Sequence, residues 1–257
     1  MTQNKIYKVL VIGGGFAGLG AAIRLKEQGE SDFALLEKAS ELGGVWRENT
    51  YPGCACDVPS TLYSFSFAPN PNWSRVFARQ PEIKAYLQNL ATEKQVLSKV
   101  HFDQEALEIR WSSDEQLWNV QTPDTQWKSR FIILACGPMH EPKLPDVPGI
   151  EQFQGEVFHS SQWRHDVDLQ GKRVAVIGTG ASAIQFVPEI QSKVAQLSVF
   201  QRTPHWVLPK VDTSLPAWVR AVFGKLPVTQ FLARGVTYGV FESINGGLQS
   251  PSIMRRL

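Results

Sequence analysis

A buried strand, a glycine turn, a helix and a second strand ending at a polar or charged residue occur twice in this chain. That repeat constrains the fold more than any other feature. In the first copy residues 6–12 (IYKVLVI) form a continuous apolar run, as expected for a parallel strand covered on both faces. Gly13-Gly14-Gly15-Phe16-Ala17-Gly18 follows, then a helical pattern through Ala22, Ile23 and Leu25 that stops at Gly29. Residues 33–36 (FALL) make the next strand, which runs into Glu37. In the second copy residues 173–177 (RVAVI) are the strand and Gly178-Thr179-Gly180-Ala181-Ser182-Ala183 the turn. A helix over 184–190, expected to break early at Pro188, leads to a strand over 197–200 and then to Arg202. Glu37 lies 24 residues after Gly13, and Arg202 lies 24 after Gly178.

Strand, glycine turn, helix, strand and acid is the dinucleotide-binding fingerprint in its required context. The expected fold class is therefore α/β, with two Rossmann-like dinucleotide-binding domains. In the first copy Gly13, Gly15 and Gly18, with Phe16 opening the helix, let backbone amides approach a pyrophosphate at the positive helix end. Glu37 accepts from a ribose hydroxyl, which suits an unphosphorylated adenosine ribose, as in FAD or NAD. In the second copy Gly178 and Gly180 keep the turn while Ala183 stands where a later glycine is usual. Arg202 replaces the acid. A guanidinium there matches a 2′-phosphate through charge-assisted hydrogen bonds, and Thr203 adds a hydroxyl. FAD on the first unit and NADPH on the second is the economical assignment.

The rest of the chain narrows the alternatives. Its 257 residues suit one large or two modest domains, and 43% hydrophobic residues supply a core. A net charge of +2 with scattered Lys and Arg gives no footprint for nucleic acid or an acidic membrane. No membrane segment and no metal site is read. Cys54, Cys56 and Cys136 form no even disulfide framework, which suits a reducing cytoplasm. Cys54 and Cys56 are too close in sequence for an easy redox disulfide, so packing is their expected role. Asp57, which follows them, is either a turn former or an acid that orients a cationic partner or the nicotinamide. A helix is expected over 81–96, strands near 105–111 and 117–122, and a buried strand over 131–135. The proline-rich stretch 138–149 reads as a hinge, and the pattern beyond Pro209 is helical.

Several further stretches carry a family likeness. Phe153-Gln-Gly155-Glu-Val-Phe-His159-Ser-Ser-Gln-Trp163 resembles the F-x-G-x-x-x-H-x-x-x-W signature of type I Baeyer–Villiger monooxygenases, which are relatives of the flavin-containing monooxygenases. Gly43-Gly44-Val45-Trp46, Tyr51-Pro52-Gly53, Cys56-Asp57-Val58-Pro59-Ser60 and Gln201-Arg202-Thr203-Pro204 resemble other landmarks of that family. The resemblance implies FAD contacts at Glu37, Val45, Trp46, Asp57 and Tyr63, with Ala106 lining the adenine. It implies NADP contacts at Ala55, Cys56 and Asp57, at Thr179, Gly180, Ala181 and Ser182, and at Arg202 and Thr203. Phe153, Gly155, His159 and Trp163 would lie on a linker coupling domain motion to cofactor position. The signature usually ends in Pro or Asp, whereas Arg164 follows the tryptophan here.

By that resemblance NADPH reduces FAD, a C4a-peroxyflavin forms with O2, and a ketone becomes an ester or lactone. Asp57 would be the catalytic acid of the site. Members of the family are about twice as long, so both nucleotide domains are expected to be incomplete, and no residue here matches the family's active-site arginine. The expected organisation is an FAD-binding domain over 1–140, a linker and NADPH-binding domain over 141–211, and the start of a helical insertion over 212–257. Two alternatives stay open: an NADPH-linked flavin reductase or oxidase, and an inactive nucleotide-binding fragment.

Overall fold

The computed structural model describes residues 2–204 and 210–249. The chain divides into two compact units. One is Met1–Cys54 with Ile83–His205, and the other is Ala55–Glu82 with Trp206–Leu257.

The first unit is built on strand β1 (Thr2–Ile12), helix α1 (Phe16–Glu27) and strand β2 (Phe33–Leu36). Helix α2 (Val45–Glu48) follows. Helix α3 (Gln80–Glu93), strand β3 (Val100–His101), strand β4 (Glu108–Ser112), strand β5 (Leu117–Gln121) and strand β6 (Gln126–Leu134) come next. Among the described residues these strands form one six-stranded sheet in the order β3-β2-β1-β6-β5-β4. The β1 strand is parallel to β2 and β6, while β4, β5 and β6 pair antiparallel with one another as a meander.

Two apolar layers explain why β1 and β2 read as unbroken hydrophobic runs. Tyr7, Leu10, Ile12, Ala34 and Leu36 pack with Val120 and Trp127 of the meander, and Ala106 packs against that cluster. Helix α1 buries Gly18, Leu19, Ala22 and Ile23, one stripe at helical spacing. In α3 the residues Ile83, Leu87, Leu90 and Ala91 are buried at the same period.

Three expectations shift. The strand expected over 131–135 begins at Gln126, because its first residues pair with β5 on one side while β1 pairs with it on the other. That two-sided role hides the onset, since Gln126, Lys128 and Arg130 break the apolar run. Helix α3 ends at Glu93 rather than Val96, because Gln95 takes a left-handed φ of 52°. Helix α4 (Ala183–Gln191) runs three residues past Pro188 instead of breaking there. Proline removes one amide donor, and the turn before it already starts at Ala183, so the short helix survives with a lost bond.

Strand β7 (Arg173–Ile177), α4 and strand β8 (Gln196–Phe200) complete the first unit, with β7 and β8 parallel. In the second unit, residues 55–60, 74–79 and 212–215 lie side by side. Cys56 N–H donates to Ala78 (2.9 Å) and Ser60 N–H to Val76 (2.7 Å); Val76 N–H donates to Thr213 (3.0 Å) and Leu215 N–H to Ser74 (2.8 Å). Helix α5 (Ala217–Lys225) and helix α6 (Pro227–Gln249) follow. No helix among the described residues is long and apolar enough to cross a membrane.

Candidate functional site: twin glycine turns

The two glycine turns are closed in the same way. Gly13, with φ 107°, donates its N–H to Leu36 at 2.8 Å. Gly178, with φ 103°, donates to Phe200 at 2.9 Å. Each turn thus hooks the end of its first strand to the end of the next, in a backbone conformation that only glycine adopts at little cost. A side chain on Gly18 would run into the Gly13 carbonyl, so that glycine permits the close approach of α1 to the turn. The N-terminus of α1 carries no acidic residue in its first turn, and Gly15 offers no side-chain cap. A helix N-terminus of this kind favours negative charge.

That hydrogen-bond register corrects the one counted from the sequence. Leu36 precedes Glu37, and Phe200 precedes Gln201, so Gln201 rather than Arg202 stands where the acid stands in the first turn. Helix α4 is nine residues against twelve in α1, and the shorter excursion moves the match by one position. The Gln201 amide donates to the Thr179 hydroxyl at 3.0 Å. Arg202 and Thr203 are exposed just beyond the strand. Ser182 leads into α4, whose first turn also lacks an acidic residue.

Glu37 is 4% exposed and already heavily used. One carboxylate oxygen accepts from Gly14 N–H at 2.6 Å; the other accepts from Ala39 N–H at 2.9 Å and the Arg47 guanidinium at 2.8 Å. A carboxylate has about four acceptor sites, so one remains for a ribose hydroxyl. Arg47, which also pairs with Glu48 at 2.7 Å, is a site residue that sequence reasoning missed. Its signal was its place directly after Gly43-Gly44-Val45-Trp46. That stretch packs backbone to backbone on the first turn. Gly43 N–H donates to Gly14 at 3.1 Å, and a side chain on Gly44 would come within 3.0 Å of Gly15. Val45 and the buried Trp46 are thereby brought to the same turn as Gly13, Gly15, Phe16 and Glu37. Ala106 lies half-buried against the meander cluster.

The linker signature lies in the first unit as well. His159 opens a short 3-10 turn, its Nδ1 accepting from Ser161 N–H at 3.1 Å. Trp163 meets Phe158 edge-on at 5.4 Å and the tilted ring of Phe186 in α4 at 5.1 Å; Phe186 in turn meets Tyr51 edge-on at 6.0 Å. A side chain on Gly155 would strike the Phe153 ring, 2.5 Å away. Arg164 points to its own surroundings, pairing with Asp166 at 2.6 Å and Glu156 at 3.3 Å.

Ala55, Cys56, Asp57 and Tyr63 belong to the second unit. Asp57 is exposed, and Cys56 is buried. Tyr63 sits in a turn closed by its N–H donating to Pro59 at 2.9 Å. Cys54, Cys56 and Cys136 are in no disulfide, and burial pushes the Cys56 thiol up to about 11. A thiol held neutral is a poor nucleophile, which agrees with packing rather than disulfide chemistry.

Paired dinucleotide-type turns of this kind define the class, and comparison with known proteins agrees. Residues 10–233 match the family described as pyridine nucleotide-disulphide oxidoreductase, and the chain belongs to it. It is 51% identical over 91% of its length to a Baeyer-Villiger monooxygenase of Streptomyces coelicolor. The chain spans 45% of that relative, about half its length. A crystal structure of OTEMO in complex with FAD and NADP is similar with a TM-score of 0.78 and 32% identity, over 87% of this chain and 44% of that one. An epsilon-caprolactone-bound cyclohexanone monooxygenase is similar with a TM-score of 0.80 and 30% identity, over 87% of this chain and 44% of that one. The resemblance to Baeyer–Villiger monooxygenases drawn from the motifs holds.

Proposed function

We propose that this chain carries the FAD- and NADPH-binding motifs of a monooxygenase that inserts one oxygen atom of O2 into a ketone, giving an ester or lactone. The twin glycine turns carry this reading. Each opens a helix with no acidic residue in its first turn; the strand closing the first runs into Glu37, and the strand closing the second runs through Gln201 to the cation Arg202. The backbone approach at Gly13 and Gly18, which any side chain would obstruct, fits a pyrophosphate. The relatives support the chemistry: the similar OTEMO structure holds FAD and NADP, and the similar cyclohexanone monooxygenase holds a lactone.

In this reading Gly13, Gly15, Phe16 and Gly18 cradle the FAD pyrophosphate, and Glu37 uses its remaining acceptor site on the ribose. Val45, Trp46, Tyr63 and Ala106 line the flavin nucleotide. Gly178, Thr179, Gly180, Ala181 and Ser182 receive the NADPH pyrophosphate, while Arg202 and Thr203 bind its 2′-phosphate. Ala55, Cys56 and Asp57 contact the nicotinamide half, and Asp57 is the catalytic acid. Residues 1–140 form the FAD-binding part, 141–211 the linker and NADPH-binding part, and 212–257 the helical insertion. FAD, when bound, supplies the activation of O2; the chain's residues bind, orient and exclude water. Three cysteines outside any disulfide support a reducing, cytoplasmic setting.

The test is product analysis with FAD, NADPH and a panel of cyclic and aryl ketones. Ester formation matched to NADPH consumption supports oxygenation. NADPH oxidation that yields hydrogen peroxide alone, with every ketone, would assign a reductase or oxidase instead.

A further inference from the structure

The second unit holds a cation that no motif singled out. Residues 74–79 lie between residues 55–60 on one side and 212–215 on the other, each joined to them by backbone hydrogen bonds. Asp212 fixes the outer edge, accepting from Arg75 Nε at 3.0 Å and from Phe77 N–H at 3.3 Å. From the start of that outer segment Lys210 reaches back across the middle one. Its ammonium lies 4.5 Å above the Phe77 ring and donates to the Cys56 carbonyl at 2.7 Å. The acceptor belongs to the peptide that joins Cys56 to Asp57.

We propose that Lys210 is a positioning residue whose ammonium clamps the Cys56–Asp57 peptide and so fixes where the Asp57 side chain is presented. The inference rests on the reading of Asp57 as the acid at the flavin. Three features argue for a clamp rather than a chance surface contact. A lysine stem is long enough to cross a neighbouring segment, and its methylenes and head rest on an aromatic ring. A charged donor to a carbonyl is among the stronger hydrogen bonds a side chain makes. Burial lowers the Lys210 pKa from its ordinary value, and the nearby carboxylates of Asp212 and Asp57 offset part of that cost, so the ammonium is held by the groups it faces. Arg234 of α6 acts in the same style farther along, donating to the carbonyls of Thr61 (2.8 Å), Leu62 (3.2 Å) and Ser64 (3.3 Å) on either side of Tyr63.

Cys56 provides a built-in reporter, because its buried thiol is reached only when the clamped peptide moves. The experiment compares alkylation of Cys56 and Cys54 by iodoacetamide in the 257-residue chain carrying Cys136→Ser, resolved by peptide mass spectrometry. Lys210→Met removes the charge and the donor; Lys210→Arg keeps both. The expected result is a ratio of Cys56 to Cys54 rates raised by about tenfold in Lys210→Met, the worth of a lost charged hydrogen bond, and close to the parent's in Lys210→Arg. General loosening speeds both thiols and leaves the ratio unchanged, so an unchanged ratio overturns the proposal. So does a ratio in Lys210→Arg as high as in Lys210→Met. FAD affinity, read by flavin fluorescence, separates this from the reading beneath it. A raised ratio with FAD affinity unaltered in both Lys210→Met and Asp57→Asn upholds the clamp and removes Asp57 from the flavin site.

Discussion

Arg202 is exposed at the end of β8, one position beyond the structural counterpart of Glu37. Exposure is what a 2′-phosphate needs, since the guanidinium loses little hydration before the nucleotide arrives. Arg202→Ala should weaken NADPH binding by about 1.5–3 kcal/mol, the worth of a hydrogen bond to a charged group, and leave NADH unchanged. Titration calorimetry with both nucleotides checks it, and equal losses would make Arg202 a residue of the fold. Gln201 cannot do this work, because its amide is turned to Thr179. His101 makes a separate prediction at the same scale. Burial, aided by the Lys5 charge, lowers its pKa below the usual 6.5, and its ring lies edge-on to Trp127 at 4.7 Å. A lowered folded value means the unfolded chain takes up the proton first as pH falls. Stability linked to His101 is therefore present above about pH 6.5 and declines as pH falls below it. The melting temperature should drop between pH 6.5 and 5 (about the window of histidine titration), and less so in His101→Gln. Identical pH curves for the two proteins would show that other groups govern that range.

At the scale of elements, the two glycine turns look alike in their first residue and differ in their sixth, where Gly18 in the first is matched by Ala183 in the second, and in how tightly their later glycines are packed. A side chain on Gly18 meets the Gly13 carbonyl, whereas one on Gly180 meets nothing within 4 Å. Gly18→Ala should therefore cost about 1–3 kcal/mol or more, as for core overpacking, and lower the yield of folded protein. Gly180→Ala should change stability by no more than about 0.5 kcal/mol, as for a surface position. Any NADPH affinity that Gly180→Ala loses is then a direct effect on the nucleotide. Urea denaturation of both variants beside NADPH titration of the second makes the comparison. A Gly180→Ala protein as unstable as Gly18→Ala would show that the second turn is packed like the first.

For the molecule as a whole, the strands nearest the turns keep much apolar surface in contact with solvent. Leu134 is 66% exposed on β6, and Ile177 and Phe200 are each 58% exposed on β7 and β8. Such strands normally pack on both faces, and a nucleotide bound only to the folded turns adds its own binding free energy to their stability. FAD and NADPH should each raise the melting temperature, with about 2.7 kcal/mol gained at a hundredfold excess over Kd. Arg202→Ala should cut the NADPH increment at the same nucleotide concentration to about 0.3–1.3 kcal/mol and spare that from FAD. Scanning fluorimetry with each nucleotide decides it, and a melting temperature indifferent to both would contradict the assignment of the turns.

The strands, turns and helices around Gly13 and Gly178 were legible because a buried parallel strand, a glycine-only turn and a 3.6-residue stripe each leave a local pattern. So was the family, since its landmarks are short and contiguous. What lay beyond the sequence was set by partners distant along the chain. The early start of β6 depends on β5, the offset of Arg202 on the length of α4, and the burden already on Glu37 on Arg47 and two backbone amides. The contact of Lys210 with Cys56 spans 154 residues, and no spacing rule reports a lysine whose acceptor is a backbone carbonyl. Local chemistry writes periodicity into a sequence; a carbonyl presents the same acceptor whatever its residue, so only the folded chain decides which cation it meets.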